Sequence, residues 1–196
     1  MKKILTILFI VTTISLIAQV PFELKGGVTI SNFNISHTSY NASTSVKAGL
    51  YAGILLNLHL FSKLRFLPGL EYTMEGAVIT SNNILFASGK YTLGHLNIPL
   101  LVRYQTHAGF FAETGPKTGI LTNAQLNQDN YGTSSGTNGF NSVDFAWTLG
   151  LGTLVNHNLG IDAHYTVGFT NIRTQKDAQF ENRVIQAGLF YIFNSN

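Results

Sequence analysis

The stretch WTLGLGTLVNHNLGIDAHYTVGF, Trp147 to Phe169, decides how the whole chain is read. Its Gly150-Leu151-Gly152 can be taken for the opening of a phosphate-binding loop. A dinucleotide fingerprint needs a strand, a glycine turn and then a helix. Here Val143, Phe145, Trp147, Leu149 and Leu151 alternate with Asp144, Ala146, Thr148, Gly150 and Gly152. After Asn156-His157-Asn158 the alternation resumes, with Leu159, Ile161, Ala163, Tyr165, Val167 and Phe169 on one parity and Asp162 and His164 on the other. Period two is the strand period, and short Asn-rich links suit tight turns. The stretch reads as a β-hairpin.

The same period runs through the chain on either side. Strands are expected at about 22–33, 47–60, 64–75, 91–105, 109–121, 143–155, 159–172 and 182–193. No window carries a comparable helical stripe. The links alternate: 61–63, 106–108 and 156–158 are short, whereas 34–46, 76–90, 122–142 and 173–181 are long. Short turns at one end and long loops at the other are the layout of an eight-stranded antiparallel up-and-down transmembrane β-barrel. Link 122–142, rich in Asn, Gly, Ser and Thr, reads as a mobile loop.

Parity also assigns the faces. Glu23, Lys25, Lys47, Arg65, Glu71, Glu75, Arg103, Glu113, Lys117, Asp144 and Asp162 share the polar face with ten glycines, while Arg183 lies on the other. Small residues alternating with long charged ones fill a narrow lumen, and the Leu-, Ile- and Phe-rich face suits lipid. The opposite assignment, a soluble exported lipid-binding barrel, would leave a sparse charged coat. On the lipid-facing parity, Phe66, Tyr104, Phe110, Tyr191 and Phe193 lie near the short turns, and Tyr72, Phe145, Trp147 and Phe169 toward the long loops. Two aromatic clusters match two membrane interfaces.

Composition agrees. Residues 1–18 read as a cleaved signal peptide, with Lys2 and Lys3 before an apolar run, leaving 19–196 as one barrel domain. Loss of the two lysines takes the net charge from +3 to about +1, so no nucleic-acid partner is implied. Charged residues are 11% of the chain, against roughly 25% in ordinary soluble domains. With no cysteine, a disulfide scaffold is excluded.

KGGVTISNF near the mature N-terminus, HLNIPLLVRY (95–104), GFFAETGPKTG (109–119) and the closing QAGLFYIF (186–193) resemble the PorT-like outer-membrane β-barrel family of Bacteroidetes. The resemblance spans nearly the whole mature chain. It implies a porin-family outer-membrane protein of the cell envelope, and its namesake's link to protein secretion implies an accessory role with envelope or secretion partners.

The residues themselves name no activity. Asp162 and His164 form either part of a hydrolytic relay, for which no nucleophile can be named, or a lumen network of Lys25, Lys47, Arg65, Glu71, Glu75, Arg103, Glu113, Lys117, Asp144, Asp162 and His164. His37 among Ser36, Ser39 and Ser43 offers no better catalytic set. His59, His107 and His157 cluster near the short turns without carboxylate or thiolate companions, so no metal and no cofactor is expected. Pro68, Pro99 and Pro116 each remove a ladder donor, and bulges or weakened pairing are expected there. Eight strands enclose only enough space for side chains. The expectation is a monomeric, non-enzymatic barrel in outer-membrane lipid, serving as envelope structure or surface-interaction scaffold. A narrow solute channel is the competing membrane reading.

Overall fold

Branched and aromatic residues alternating with small or polar ones form half-buried strands, and the computed structural model is built from such strands. It describes residues 20–36, 42–81, 88–128, 132–137, 139–174 and 179–193. The expected signal peptide lies outside the described residues, as do His37 and Ser39. The strands are β1 (Phe22–Ser36), β2 (Ala42–Leu56), β3 (Leu58–Phe61), β4 (Leu64–Ser81), β5 (Gly89–Gln105), β6 (Phe110–Gln128), β7 (Gly132–Ser135), β8 (Val143–Leu154), β9 (Leu159–Gly168) and β10 (Gln179–Phe193).

Eight of them close an antiparallel ring in the order β1, β2, β4, β5, β6, β8, β9, β10. First and last strands are zipped from Phe22↔Phe193 to Ser36↔Gln179. β3 carries on the line of β2 beyond Asn57 and keeps its pairing sum with β4 at Leu58↔Phe66. At the break, the Asn57 N–H donates to the Pro21 carbonyl at 2.7 Å. Both described ends of the chain therefore lie at the short-turn end.

Two details depart from the sequence expectation, and a third meets one of its two alternatives. Most strands rise further toward the long loops than alternation indicates, because beyond the apolar belt the outward face is polar and the contrast fades. Link 122–142 is not wholly irregular: β6 runs on to Gln128, and β7 folds back onto it from Gln128↔Gly132 to Gln125↔Ser135. Thr, Asn and Gln tolerate a solvated strand when a neighbour supplies the ladder. Lastly, of the bulges or weakened pairing expected at the prolines only the weakened pairing is found, and the register shifts fall elsewhere, between Val46 and Tyr51, between His59 and Phe61 and between Gly94 and His95. At the prolines the register is kept, but pairing skips Gly69 and Leu70 on β4 and Leu100 and Leu101 on β5. A missing donor weakens one rung, whereas an inserted residue would turn every later side chain to the wrong face.

The apolar parity faces outward, with Leu24, Leu50, Leu70, Leu100, Leu149 and Leu189 all exposed. The inward parity is layered. Charged and polar side chains fill the middle. Near the turns, Leu55, Leu67 and Leu101 pack together, as do Phe111, Phe190 and Ile192. At the loop end a larger apolar core joins Phe33, Ile79, Tyr91, Leu93, Leu121, Ile172 and Phe180. That core sits beyond the last β1–β2 rung, Ser31↔Lys47, and the last β9–β10 rung, Val167↔Arg183. There the wall divides into a β1–β10 ribbon and a β2-β4-β5-β6-β7 sheet. Burial in this cap pushes the Tyr91 phenol up from its ordinary value, against the pull of the Arg173 charge.

Candidate functional site

The residues richest in chemistry face inward. Arg103 of β5, 1% exposed, grips Glu23 of β1 with both terminal nitrogens, at 2.7 and 2.9 Å, and donates from Nε to Glu113 of β6 at 2.6 Å. Such fork-to-carboxylate pairing offsets the desolvation of a buried charge. The guanidinium also lies over the Phe111 ring at 4.1 Å and the Phe190 ring at 5.1 Å, within cation–π range. Glycines admit these rings: a Cβ at Gly152 would collide with Phe111, and one at Gly160 with Phe190.

From Arg103 the network extends both ways. Toward the turns, Asn57 donates to Glu23 at 2.6 Å and accepts from Arg65 at 3.0 Å. In the other direction, His164 Nε2 meets Glu113, and its Nδ1 faces Asp162 at 3.8 Å. Asp162 pairs with Lys25 at 3.1 Å and accepts from the Tyr51 hydroxyl at 3.2 Å. Higher up, Glu71 accepts from Gln186 at 3.0 Å and stands 3.7 Å from Lys117. Glu75 accepts from Thr73 at 2.6 Å and from Asn182, with His95 at 3.4 Å. Two expected members stand apart: Asp144 accepts from the Thr170 hydroxyl at the loop end, and Lys47 reaches the Ala48 carbonyl at 3.5 Å.

Parity singles out the charged residues of this network; Asn57, Asn182, Gln186, Phe111 and Phe190 share their inward face without being singled out. Their signal is the same inward parity, carried by residue types that do not stand out in a sequence. Gly150 has a definite role here. A Cβ on it would run into the His164 ring and Glu113 Cγ, so the glycine that resembled a phosphate loop is the space in which those side chains meet.

Two chemical readings can be weighed on this geometry. Glu113, Asp162 and His164 present ligand atoms within 4.8 Å of one another, the spacing of a metal cage. Arg103 and Lys25 already lie against the two carboxylates, so the set is an ion-pair cluster and its donors do not fit a second cation. Among the described residues, no serine, threonine or cysteine is bonded to His164 or Asp162 to serve a relay: their side-chain partners are Glu113, Lys25 and Tyr51. His59, His107 and His157 are exposed at the turns.

On the outer surface, Tyr72, Tyr104, Phe110, Phe145, Trp147, Phe169, Tyr191 and Phe193 are exposed and Phe66 is half-buried. The Trp147 indole donates to Thr114 at 2.8 Å, which fixes its ring against the wall. Among the described residues, the outward strand positions carry charge only at Lys90, Glu181 and Arg183, all beyond the apolar belt toward the loops.

Residues 17–173 match the outer membrane protein β-barrel domain family. The chain belongs to that family. Its place is the bacterial outer membrane, where the exposed Leu, Ile and aromatic belt faces lipid. The fold is similar to that of neisserial surface protein A, at 16% identity over 88% of this chain and 97% of that one, with a TM-score of 0.57. It is also similar to the attachment invasion locus protein of Yersinia pestis, solved with the heparin analogue sucrose octasulfate, at 12% identity over 89% and 99% of the chains, with a TM-score of 0.51. These likenesses speak for the fold. No curated protein matches the chain.

Proposed function

We propose that this outer-membrane barrel is a non-enzymatic scaffold of the cell envelope, with a lumen closed by its own side chains and an extracellular cap that presents an interaction surface. The observation that carries this reading is the filling of the lumen. A buried ion-pair network occupies its middle, and apolar clusters lie on both sides of it. A hydrated ion would have to break Arg103 from Glu23 and Glu113 and part the Phe111–Phe190 pair, whose centroids are 5.7 Å apart. Aromatics such as Trp147, Phe169, Tyr104 and Tyr191 act as membrane-interface anchors on this reading.

The cap supports the outward role. Its inner face is an apolar core, and its outer face offers Ser45, Thr80, Gln125, Asn127 and Thr133, all exposed. Loops and strand ends on a rigid scaffold commonly carry binding. Planar-bilayer recording of the purified protein tests closure: no stable conductance is expected, and large steady steps would favour the solute-channel reading. An accessory role in protein secretion is supported by the resemblance of segments such as HLNIPLLVRY to the PorT-like family. Crosslinking in intact cells tests it, with reproducible capture of other envelope proteins as the expected result.

A further inference from the structure

The lumen network has a gap. Its turn-side part runs from Arg65 to Asp162 and Lys25, and its loop-side part gathers on Glu75. Lys117 stands where the two approach. Beside it is a void with about 10 Å³ of room for the centre of a water-sized molecule, lined by Glu75, Asn97, Lys117, Asp144, Thr166 and Asn182. That is space for one water and little else.

Two side-chain atoms on this lining are buried without a hydrogen-bond partner: Lys117 Nζ and Asn182 Oδ1. Their residues are 5% and 3% exposed. Lys117 Nζ is 3.7 Å from Glu71, close enough for attraction but too far for a hydrogen bond. The Asn182 amide has only one sensible orientation, because its Nδ2 donates to the Glu75 carboxylate. Oδ1 is therefore a buried acceptor on a residue that lines the void. Orphaned polar atoms at such depth are costly and are normally met by a partner or an ordered water.

The pairing of a donor with an acceptor selects the occupant. A metal ion cannot accept from Lys117, and an anion cannot donate to Asn182 and would sit beside Glu75 and Asp144. We propose that the void is a binding site for a single water molecule that accepts from Lys117 Nζ and donates to Asn182 Oδ1, tying Lys117 into the group gathered on Glu75. This deepens the closed-lumen reading and rests on it: one water bridges side chains, whereas a pore holds a file of them.

A high-resolution crystal structure of the full protein in detergent tests the site. One isolated peak is expected at roughly 2.7–3.2 Å from both atoms. The Asn182→Leu variant should lose that peak while Lys117 turns onto Glu71; should this variant not fold, the wild-type map alone decides. An empty void in the wild type, or Lys117 bonded directly to Glu71, overturns the water site and leaves the lumen closed. A larger molecule in the density also overturns it. A continuous file of waters from one mouth to the other overturns both this inference and the proposed function.

Discussion

At the scale of the residue, Arg103 shows both the reach and the limit of the sequence. Parity places it in the lumen, and the register of a tight hairpin puts Glu113 directly across from it. Glu23 comes from the other side of the ring, 80 residues away, and no local pattern announces that meeting. Removing the guanidinium leaves two acids buried without their cation. Arg103→Met is expected to destabilise the barrel by about 3–5 kcal/mol, read as a lower temperature for loss of the folded, fast-migrating band in detergent gels. A shift no larger than that of an outward Leu→Ala control would remove Arg103 from the centre of the network. Gly150 makes a complementary case. Gly150→Val pushes into His164 and Glu113, and overpacking of this kind costs about 1–3 kcal/mol. Ala163→Val, on the lipid-facing parity of the adjacent strand, should leave the same transition within experimental error.

At the scale of the element, eight wall strands are legible because lipid on one side and packed charges on the other enforce strict alternation. Legibility ends where those environments end. Above the belt, β6 becomes Thr122–Gln128, polar outside and only partly apolar within, so its pairing with β7 carries no period that a reader could see. The cap core does not depend on that hairpin: its buried members come from β1, β4, β5, β6, β10 and the β9–β10 link, none from β7. Replacing residues 129–135 by a short Gly-Ser link should therefore leave the melting of the barrel nearly unchanged. Phe180→Ala, by contrast, empties a site 2% exposed in that core and should cost about 3–5 kcal/mol. Equal damage from both changes would mean that β7 holds the cap together. The prolines make the same point: their positions can be read, but whether the wall answers with a bulge or a skipped rung depends on which neighbour each missing donor faced.

At the scale of the molecule, membrane insertion is a statement about depth, and depth can be tested along the outer wall. On β4 the outward positions are apolar without a break from Leu64 to Met74, up to Gly76, ten steps of about 3.4 Å or roughly 34 Å of strand. With a strand tilt near 45°, that is a band about 24 Å tall, close to the roughly 25 Å of outer-membrane barrels. Leu149 lies near the middle of its strand and is 56% exposed, whereas Gln125 is exposed on β6 beyond the band. Burying a lysine in hydrocarbon at mid-depth costs about 2–4 kcal/mol, and near the interfaces about 0–1. Leu149→Lys should therefore lower folding stability in lipid vesicles by that larger amount, and Gln125→Lys by little. Both substitutions add the same charge to an exposed position, so a soluble barrel would register neither as a large loss. The contrast isolates lipid as the solvent of the outer face, and matched effects at the two positions would show that the belt does not lie where its side chains place it.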